Sequence, residues 1–292
     1  MADRVAVTDA NVLITGESGA GKGALADYVH AQSKRAGQNF VKIDCGALPK
    51  DLLEAELFGY ERGAFTGAHE AKPGRLEDAH NGTLLLDEIA QLPLEAQAKF
   101  LRVIEQREFE RLGGRRTIKV NTRLIALTNV DLEDAVRRRA FREDLFYRLN
   151  VVRLRVPPLV SRRTDIALLA RQFVNTYATK HGRPARALAP AALALLESYA
   201  WPGNVRELAN TIERAVIIAL GETIAAADLP AHLRDNAQRQ QRGRPQTLAE
   251  VEADYVRSIL AQTKGNKAEA ARILGISRKN LYEKLARYET GG

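Results

Sequence analysis

The chain has 292 residues, of which 45% are hydrophobic and 27% charged, a balance typical of a folded protein and not of a disordered one. No apolar run approaches the roughly 18 residues that a membrane helix needs, and no signal-peptide stretch precedes Asp9. We therefore expect a cytoplasmic protein without a membrane partner. The single cysteine, Cys45, cannot form an internal disulfide, and a thiolate metal site is not expected.

The net charge is +8 and the pI is about 9.6, which suits a polyanionic partner. Residues 232–292 contain 12 lysines and arginines against 7 acidic residues, so five of the eight excess positive charges lie there. Any nucleic-acid contact is therefore expected in this last fifth of the chain.

Between residues 11 and 160, short β-branched or leucine-rich runs alternate with helical patterns. This alternation predicts an α/β fold, a parallel sheet with helices on both faces. The expected strands are residues 11–15, Phe40–Asp44, Thr83–Asp87 and Arg123–Thr128, and the expected helices include residues 21–34 and Leu94–Gln106.

From residue 158 to 233 the patterns are helical only, with apolar residues three and four apart. A polar stretch with Gly and Pro follows, which is typical of a linker, and helical periodicity then resumes. We expect an α/β domain over 1–158, a helical domain over 159–233, a linker over 234–246 and a second helical domain over 247–292. The helices expected in these domains cover residues 165–180, 190–199, 204–220 and, with interruptions, 247–288.

A phosphate-binding loop is indicated by a match to the pattern G-x-x-x-x-G-K after a strand and at the start of a helix. Its glycines let successive backbone N–H groups face phosphate oxygens, and its lysine is expected to hold the outer phosphates. The next residue, Gly23, provides no hydroxyl, so one possible Mg²⁺ ligand is missing or replaced by water. The matching run is Gly16-Glu17-Ser18-Gly19-Ala20-Gly21-Lys22.

Two acidic residues end the third predicted strand, sixty-five residues after the loop lysine. Asp87 is placed to hold Mg²⁺ directly or through water, and Glu88 is placed to polarise an attacking water molecule. A buried strand with a solvated acidic turn has the same pattern, but the preceding phosphate loop favours a nucleotide site.

The most specific feature is the run of residues 56–62 followed by Gly63-Ala64-Phe65-Thr66-Gly67-Ala68. With the two motifs above, it resembles the sigma-54-dependent transcriptional activators, the NtrC-like branch of the AAA+ ATPases. The resemblance covers almost the whole chain. It implies that this string forms the tip of a loop that enters the pore of a ring, where Phe65 and Thr66 contact sigma-54.

Three further motifs resemble the family's nucleotide-contacting elements. The Leu-Thr-Asn run ending at Asn129 is similar to sensor I, which implies a place near the γ-phosphate. The ten residues from Phe141 are similar to the arginine-finger segment, which implies that Arg142 and Arg148 reach the neighbouring subunit's nucleotide. The Trp-Pro-Gly-Asn-Val-Arg-Glu-Leu run is similar to sensor II, which implies that Arg206 reaches the nucleotide from the helical lid.

The sequence departs from the family pattern at several positions. Asp44 stands where the family often has Asn, a residue that restrains the catalytic glutamate. Because an ionised Asp accepts hydrogen bonds and cannot donate one, we expect it to repel Glu88. Only ten residues precede the first predicted strand, where the family usually has a helical segment beside the adenine and a regulatory domain. We expect either a fragment or a protein that a separate partner controls.

The last helices resemble the Fis-type helix-turn-helix module of these activators. Ala270, Ile273 and Leu274 are expected on one face of the first helix, with Gly275 in the turn and Ser277 capping the second helix. A helical hairpin used for dimerisation remains an alternative. The expected DNA contacts are Ser277, Arg278, Lys279, Asn280, Tyr282, Lys284 and Arg287, the last two to phosphate only.

The resemblance implies an ATPase that uses ATP and Mg²⁺, forms a homo-oligomer from dimer to hexameric ring, binds double-stranded DNA upstream of promoters and remodels the sigma-54 RNA polymerase holoenzyme. A second hypothesis is a DNA-binding regulator whose nucleotide domain serves for sensing or oligomerisation with little turnover. A general AAA+ unfoldase is a third, and it predicts no DNA binding.

Overall fold

The computed structural model describes residues 1–185, 187–234, 248–263 and 266–289. The chain forms two compact units, Met1–Pro230 and Ala231–Gly292. Apart from its first residue, the predicted linker over 234–246 lies outside the described residues.

The larger unit is built around a sheet of five parallel strands, in the spatial order β2 (Phe40–Asp44), β5 (Thr83–Asp87), β8 (Arg123–Thr128), β1 (Val12–Thr15) and β9 (Val152–Arg155). The four predicted strands are confirmed, although the first begins one residue later than expected. In chain order the strands are β1 Val12–Thr15, β2 Phe40–Asp44, β3 Gly59–Tyr60, β4 Lys72–Pro73, β5 Thr83–Asp87, β6 Glu108–Glu110, β7 Thr117–Lys119, β8 Arg123–Thr128, β9 Val152–Arg155, β10 Ala187–Leu188 and β11 Thr223–Ile224.

The edge strand β9 was not among the expected strands. It alternates Val and Leu with Arg153 and Arg155, which are exposed, so it lacks the continuous apolar run of an inner strand. The expectation of helices only between residues 158 and 233 was wrong in one respect. The short strands β10 and β11 pair in parallel within that region.

The described helices include the predicted Leu94–Gln106 without change, whereas the helix expected over 21–34 is shorter. In chain order they are α1 Ala2–Ala6, α2 Lys22–Ala31, α3 Lys50–Phe58, α4 Arg75–Asp78, α5 Leu94–Gln106, α6 Leu132–Arg137, α7 Glu143–Leu149, α8 Thr164–His181, α9 Pro190–Ser198, α10 Asn204–Ile218, α11 Leu248–Gln262, α12 Lys267–Ile273 and α13 Arg278–Glu289. In the part of the chain that the structure describes, no helix is both long and apolar enough to cross a membrane.

Apolar cores lie on both faces of the sheet, which confirms the α/β class. On one face, Val29 of α2 packs with Ile14 and Leu127. On the other face, α3 and α5 bury Phe58 and Phe100 against the strands. Burial of both faces explains why the inner strands read as continuous apolar runs.

In the smaller unit, α11, α12 and α13 pack around a core of Val256, Ile259, Ala270, Ala271 and Leu281. One sequence expectation was wrong here, because Ile273 is 49% exposed. Ala271, next to Ala270 in the core, is buried in its place.

Gly82, just before β5, provides a test of how tightly the sheet is packed. A Cβ atom there would lie 2.1 Å from the carbonyl oxygen of Asn39, which accepts the Thr83 N–H. Because backbone atoms cannot move aside freely, we expect Gly82→Ala to lower the free energy of unfolding by about 1–3 kcal/mol. Urea unfolding followed by the fluorescence of Trp201 measures it.

The matched control is Gly37→Ala, where an added Cβ meets no atom within 4 Å. It should change the free energy of unfolding by less than about 0.5 kcal/mol. Equal effects of the two substitutions would contradict this account of the packing.

Candidate nucleotide site and its surroundings

The phosphate loop lies between β1 and α2, the context that the sequence predicted. Lys22 Nζ donates hydrogen bonds to the carbonyl oxygens of Gly16 and Glu17, at 2.9 and 3.0 Å. A Cβ at Gly16 would lie 2.6 Å from the Val156 carbonyl oxygen, and one at Gly19 would lie 2.5 Å from that of Gly203. These glycines are therefore required by packing as well as by the left-handed backbone at Gly19.

The loop borders a cavity of about 280 Å³ that brings together several predicted site residues from three elements. Burial lowers the pKa of Lys22, while Asp87 and Glu88 oppose that shift. The two carboxylates favour the ammonium form of this lysine, the form that attracts an anion. The described residues that line the cavity are Ser18, Gly19, Gly21, Lys22, Gly23, Asp87, Glu88, Val205, Arg206 and Ala209.

The two acidic residues at the end of β5 are held in different ways. Asp87 Oδ1 accepts the backbone N–H of Glu88 at 2.9 Å. Glu88 itself adopts a left-handed backbone conformation, with φ at 51°, which non-glycine residues adopt mainly where the surroundings impose it. The strand end therefore directs both carboxylates to the cavity from one fixed turn.

Asp44 lies opposite Asp87 in the pairing of β2 with β5. Its Oδ1 accepts the N–H of Gly46 at 2.9 Å, and a Cβ at Gly46 would lie only 2.4 Å from Glu88 Oε2. The two carboxylates thus approach the same glycine. The intervening Cys45 is buried, which together with the nearby acids raises the pKa of its thiol to about 12. A reactive thiolate at this position is therefore not expected.

The acidic pair fits Mg²⁺ delivered with a nucleotide better than a metal held by protein alone. Among the described residues, no group of three His, Cys, Asp or Glu side chains converges to hold a metal ion. Mg²⁺ in nucleotide sites takes one or two carboxylates and completes its shell with phosphate oxygens and water. Asp87 and the hydroxyl-free Gly23 are consistent with that arrangement.

The helical lid contacts the phosphate loop directly. Arg206 Nη1 donates to Ser18 Oγ at 3.0 Å, so the predicted sensor residue lies at the cavity. Two other contacts were not predicted. Arg162 Nη2 donates to the Ala20 carbonyl oxygen at 2.5 Å, and the Asn204 amide donates to Glu17 Oε2 at 2.9 Å. Asn204 is within the sensor II run, whereas nothing in the sequence indicated Arg162.

Asn129 lies at the end of β8, as expected, but it borders a separate cavity of about 400 Å³. That cavity also includes Thr15, Gly16 and Glu17 at the start of the phosphate loop. The structure therefore places Asn129 beside the loop, and its role towards a γ-phosphate stays a prediction.

Arg142 and Arg148 lie on the surface around α7, and neither is among the described residues that line the Lys22 cavity. Arg142 Nη2 donates to Asp144 Oδ2 at 2.7 Å, and Arg148 Nε donates to Glu105 Oε1 at 2.9 Å. Both guanidinium groups are exposed, so a second molecule can reach them.

The Gly63–Ala68 string forms a compact turn in which the Gly63 N–H donates to the Ala68 carbonyl oxygen at 2.8 Å. Gly63 and Gly67 both have positive φ. Phe65 is 42% exposed and meets the ring of Tyr60 edge-on, at 5.0 Å between centroids. Thr66 is exposed as well. The turn therefore presents the two predicted contact residues to the outside.

A hairpin of β6 and β7 supports this turn from the side. Arg111 donates to both carboxylate oxygens of Glu77, each at 2.8 Å, and to Glu61 at 3.2 Å. Burial raises the pKa of Glu77, but the hydrogen bonds from Arg111 and Gly74 bring it below its usual value. The hairpin was not predicted, and it fixes the base of the loop while its tip remains exposed.

In the smaller unit, Ser277 Oγ accepts the N–H of Asn280 at 3.2 Å, which confirms the predicted cap of α13. Gly275 has the positive φ expected of the turn. The side chain of Arg287 lies outside the described residues. The first predicted contacts are exposed, namely Ser277, Arg278, Lys279 and Asn280.

Two predicted DNA contacts already have partners within the unit. Lys284 Nζ donates to Glu252 Oε1 at 2.7 Å, and Lys267 Nζ lies 4.7 Å from the ring centroid of Tyr282. Lys284 must therefore give up its ion pair with Glu252 before it can bind a DNA phosphate.

Known families match the chain in three consecutive segments. Residues 1–155 match the Sigma-54 interaction domain, residues 161–246 match the AAA+ ATPase lid domain, and residues 247–288 match the bacterial regulatory protein, Fis family.

Individual proteins match over nearly all of the chain. It is 47% identical over 294 residues to the regulatory protein AtoC of Escherichia coli (strain K12), covering 98% of this chain and 64% of AtoC. It is 44% identical over 311 residues to the transcriptional regulatory protein FlbD of Caulobacter vibrioides, covering 100% and 68%. NtrX from Brucella abortus, crystallised with ATP, superposes with a TM-score of 0.72 at 39% identity, covering 98% of this chain and 65% of NtrX.

The parallel sheet, phosphate loop and helical lid define a P-loop NTPase of the AAA+ class. The chain belongs to the sigma-54-dependent transcriptional regulators that carry a Fis-type helix-turn-helix DNA-binding domain. It spans 64–68% of the length of AtoC, FlbD and NtrX. The family resemblance read from the sequence is thus confirmed.

Proposed function

We propose that this chain hydrolyses ATP and uses the energy to remodel the sigma-54 RNA polymerase holoenzyme at promoters. The observation that carries the proposal is the convergence of Lys22, Asp87, Glu88 and Arg206 on one cavity beside a glycine-rich loop. A phosphate-binding cation, two carboxylates and an arginine from a lid are the parts that nucleotide hydrolysis requires.

Each residue of this cavity has a distinct task in the proposed reaction. Lys22 exchanges its loop carbonyl acceptors for the outer phosphates of ATP. Asp87 would hold Mg²⁺, which would supply positive charge that neutralises the phosphates. Glu88 orients the attacking water and accepts its proton, and Arg206 ties the phosphates to the lid.

The proposed site is completed by a second copy of the chain in a homo-oligomer, up to a hexameric ring. Arg142 and Arg148 are exposed and stand apart from the chain's own cavity, as residues that act in trans require. Charge that develops on the transferring phosphoryl group gives such arginines an effect of roughly 10³–10⁵ on the rate.

Nucleotide state is proposed to move the Gly63–Ala68 turn, whose Phe65 and Thr66 engage sigma-54. The smaller unit is proposed to bind double-stranded DNA upstream of the promoter through the start of α13. Asp44, so close to Glu88, is the one observation that favours the second candidate, a regulator with little turnover. A general unfoldase predicts no DNA binding, so a gel-shift assay separates it from both.

The first test concerns Glu88, the proposed water-orienting group. Glu88→Gln should bind ATP as the wild type does but lose at least about 100-fold in turnover, because its amide is no longer a base. Steady-state ATPase rates over a range of protein concentrations measure this loss.

The wild-type rate per chain should rise with concentration as copies assemble, and the exposed control Glu95→Gln should behave like the wild type. Wild-type turnover that is absent at every concentration would sink the proposal and leave the second candidate.

A second test separates the exposed loop from the nucleotide site. Phe65→Ala should retain ATPase activity within about twofold yet abolish activation of a sigma-54 promoter in transcription assays. The aromatic contact is lost on the outside, while the cavity is untouched. The control is Leu220→Ala, which removes another exposed apolar side chain. Equal activation by the two variants would be evidence against the loop's role.

A third test concerns the DNA contact. Removal of one phosphate-binding cation should reduce the slope of log K against log salt by about 0.9. We expect that reduction for Lys279→Ala, measured by fluorescence anisotropy with duplex DNA. Lys284→Ala should reduce the slope less, because Glu252 already pairs with Lys284. An unchanged slope in Lys279→Ala would contradict a phosphate contact there.

A further inference from the structure

Asn204, the first residue of α10, lies at the junction of the phosphate loop and the lid. The residue is 1% exposed, and its backbone has a φ of 53°, a left-handed conformation that Asn tolerates better than most residues. Such a residue is held by its surroundings. The contacts of its carboxamide therefore indicate what it does there.

The carboxamide of Asn204 joins three segments of the chain. Its Oδ1 accepts the N–H of Leu159, where the chain enters the lid, at 2.7 Å. Its Nδ2 donates to Glu17 Oε2 at 2.9 Å and to the Ser18 carbonyl oxygen at 3.2 Å. Both ends of the amide are thus used, one towards the lid entry and the other towards the phosphate loop.

Glu17 is held from its other side by the loop lysine. Lys22 Nζ donates to the Glu17 carbonyl oxygen at 3.0 Å, so hydrogen bonds run from Lys22 through Glu17 to Asn204 and on to Leu159. When Lys22 turns to a phosphate, the Glu17 carbonyl loses its donor. Any resulting shift of the loop acts on the lid through the Asn204 amide.

We propose that Asn204 is a positioning residue that fastens the phosphate loop to the lid, so that the lid follows the loop when nucleotide binds. The proposal rests on the proposed function for its nucleotide-dependent part. The fastening itself is a property of the nucleotide-free chain. Asn204 acts through Glu17 and Ser18, whereas Arg206 on the same helix faces the nucleotide cavity.

The test exchanges the donor and the acceptor. Asn204→Asp keeps an oxygen for the Leu159 N–H but places a carboxylate against Glu17. It should weaken ADP binding about tenfold, the effect of losing roughly 1.4 kcal/mol of one charge-assisted hydrogen bond. Glu17→Gln still accepts from Asn204, so this variant shows what loss of the Glu17 charge alone does to ADP affinity.

The double variant, Glu17→Gln with Asn204→Asp, restores a donor and an acceptor in reversed order. It should bind ADP more tightly than Asn204→Asp alone in calorimetric titration, although the Ser18 carbonyl oxygen still lacks its donor. A role in lid folding alone gives no such rescue, because that role does not depend on which partner donates. A double variant as weak as Asn204→Asp alone would overturn the proposal, as would wild-type affinity in Asn204→Asp.

Hydrogen exchange on the nucleotide-free chain gives a readout independent of ADP. The Arg206 N–H donates to the Gly19 carbonyl oxygen at 3.3 Å, and this hydrogen bond also joins the lid to the phosphate loop. In Asn204→Asp this amide should exchange faster, while the Leu159 amide keeps its protection. Faster exchange at both amides would mean general loosening of the lid and would overturn the proposal.

Two controls complete the design. If Asn204→Asp does not fold, Glu17→Ala removes the acceptor from an exposed position and should speed Arg206 exchange, unlike the control Glu95→Ala. If the wild type does not bind ADP, the proposed function fails. The exchange measurement still tests whether Asn204 holds the phosphate loop to the lid. The two proposals therefore fail separately.

Discussion

The parallel pairing of β1, β8, β5 and β2 is the constraint on which the candidate site depends. Parallel strands end at the same edge of a sheet, so the loops that follow them meet there whatever their distance along the chain. The phosphate loop follows β1, Asn129 follows β8, and the acidic pair ends β5. Asp44 joins them because its partner in the β2–β5 register is Asp87.

The same constraint explains how much of the fold the sequence could predict. Inner strands covered on both faces are largely apolar, and this pattern located the three inner strands β1, β5 and β8. The edge strand β9 needs fewer apolar residues. Arg153 and Arg155 interrupt its apolar run, so the sequence pattern did not predict it as a strand. Strands of two residues, such as β10 and β11, have no periodicity to detect. In α12, helical spacing alone could not decide whether Ile273 or Ala271 faces the core.

The candidate site was predictable where chemistry requires particular residue types, and less so where backbone groups act. A lysine after glycines and paired acids after a strand are specific patterns, and the structure brings them to one cavity. Arg162 and Asn204 instead reach main-chain oxygens of Ala20 and Ser18. Since every residue carries such an oxygen, no pattern in the loop indicates these contacts, and only the folded lid reveals them.

The ion pairs of α7 fit a site that one chain leaves incomplete. Exposed pairs such as Arg142 with Asp144 and Arg148 with Glu105 contribute little to stability, because water screens them. Giving them up to meet a nucleotide on another copy therefore costs little. In the proposed reaction, a phosphoryl group that gains charge offers each guanidinium a stronger partner in a less solvated place. The exposed pairs of the single chain are therefore compatible with the proposed role of both arginines in a second copy.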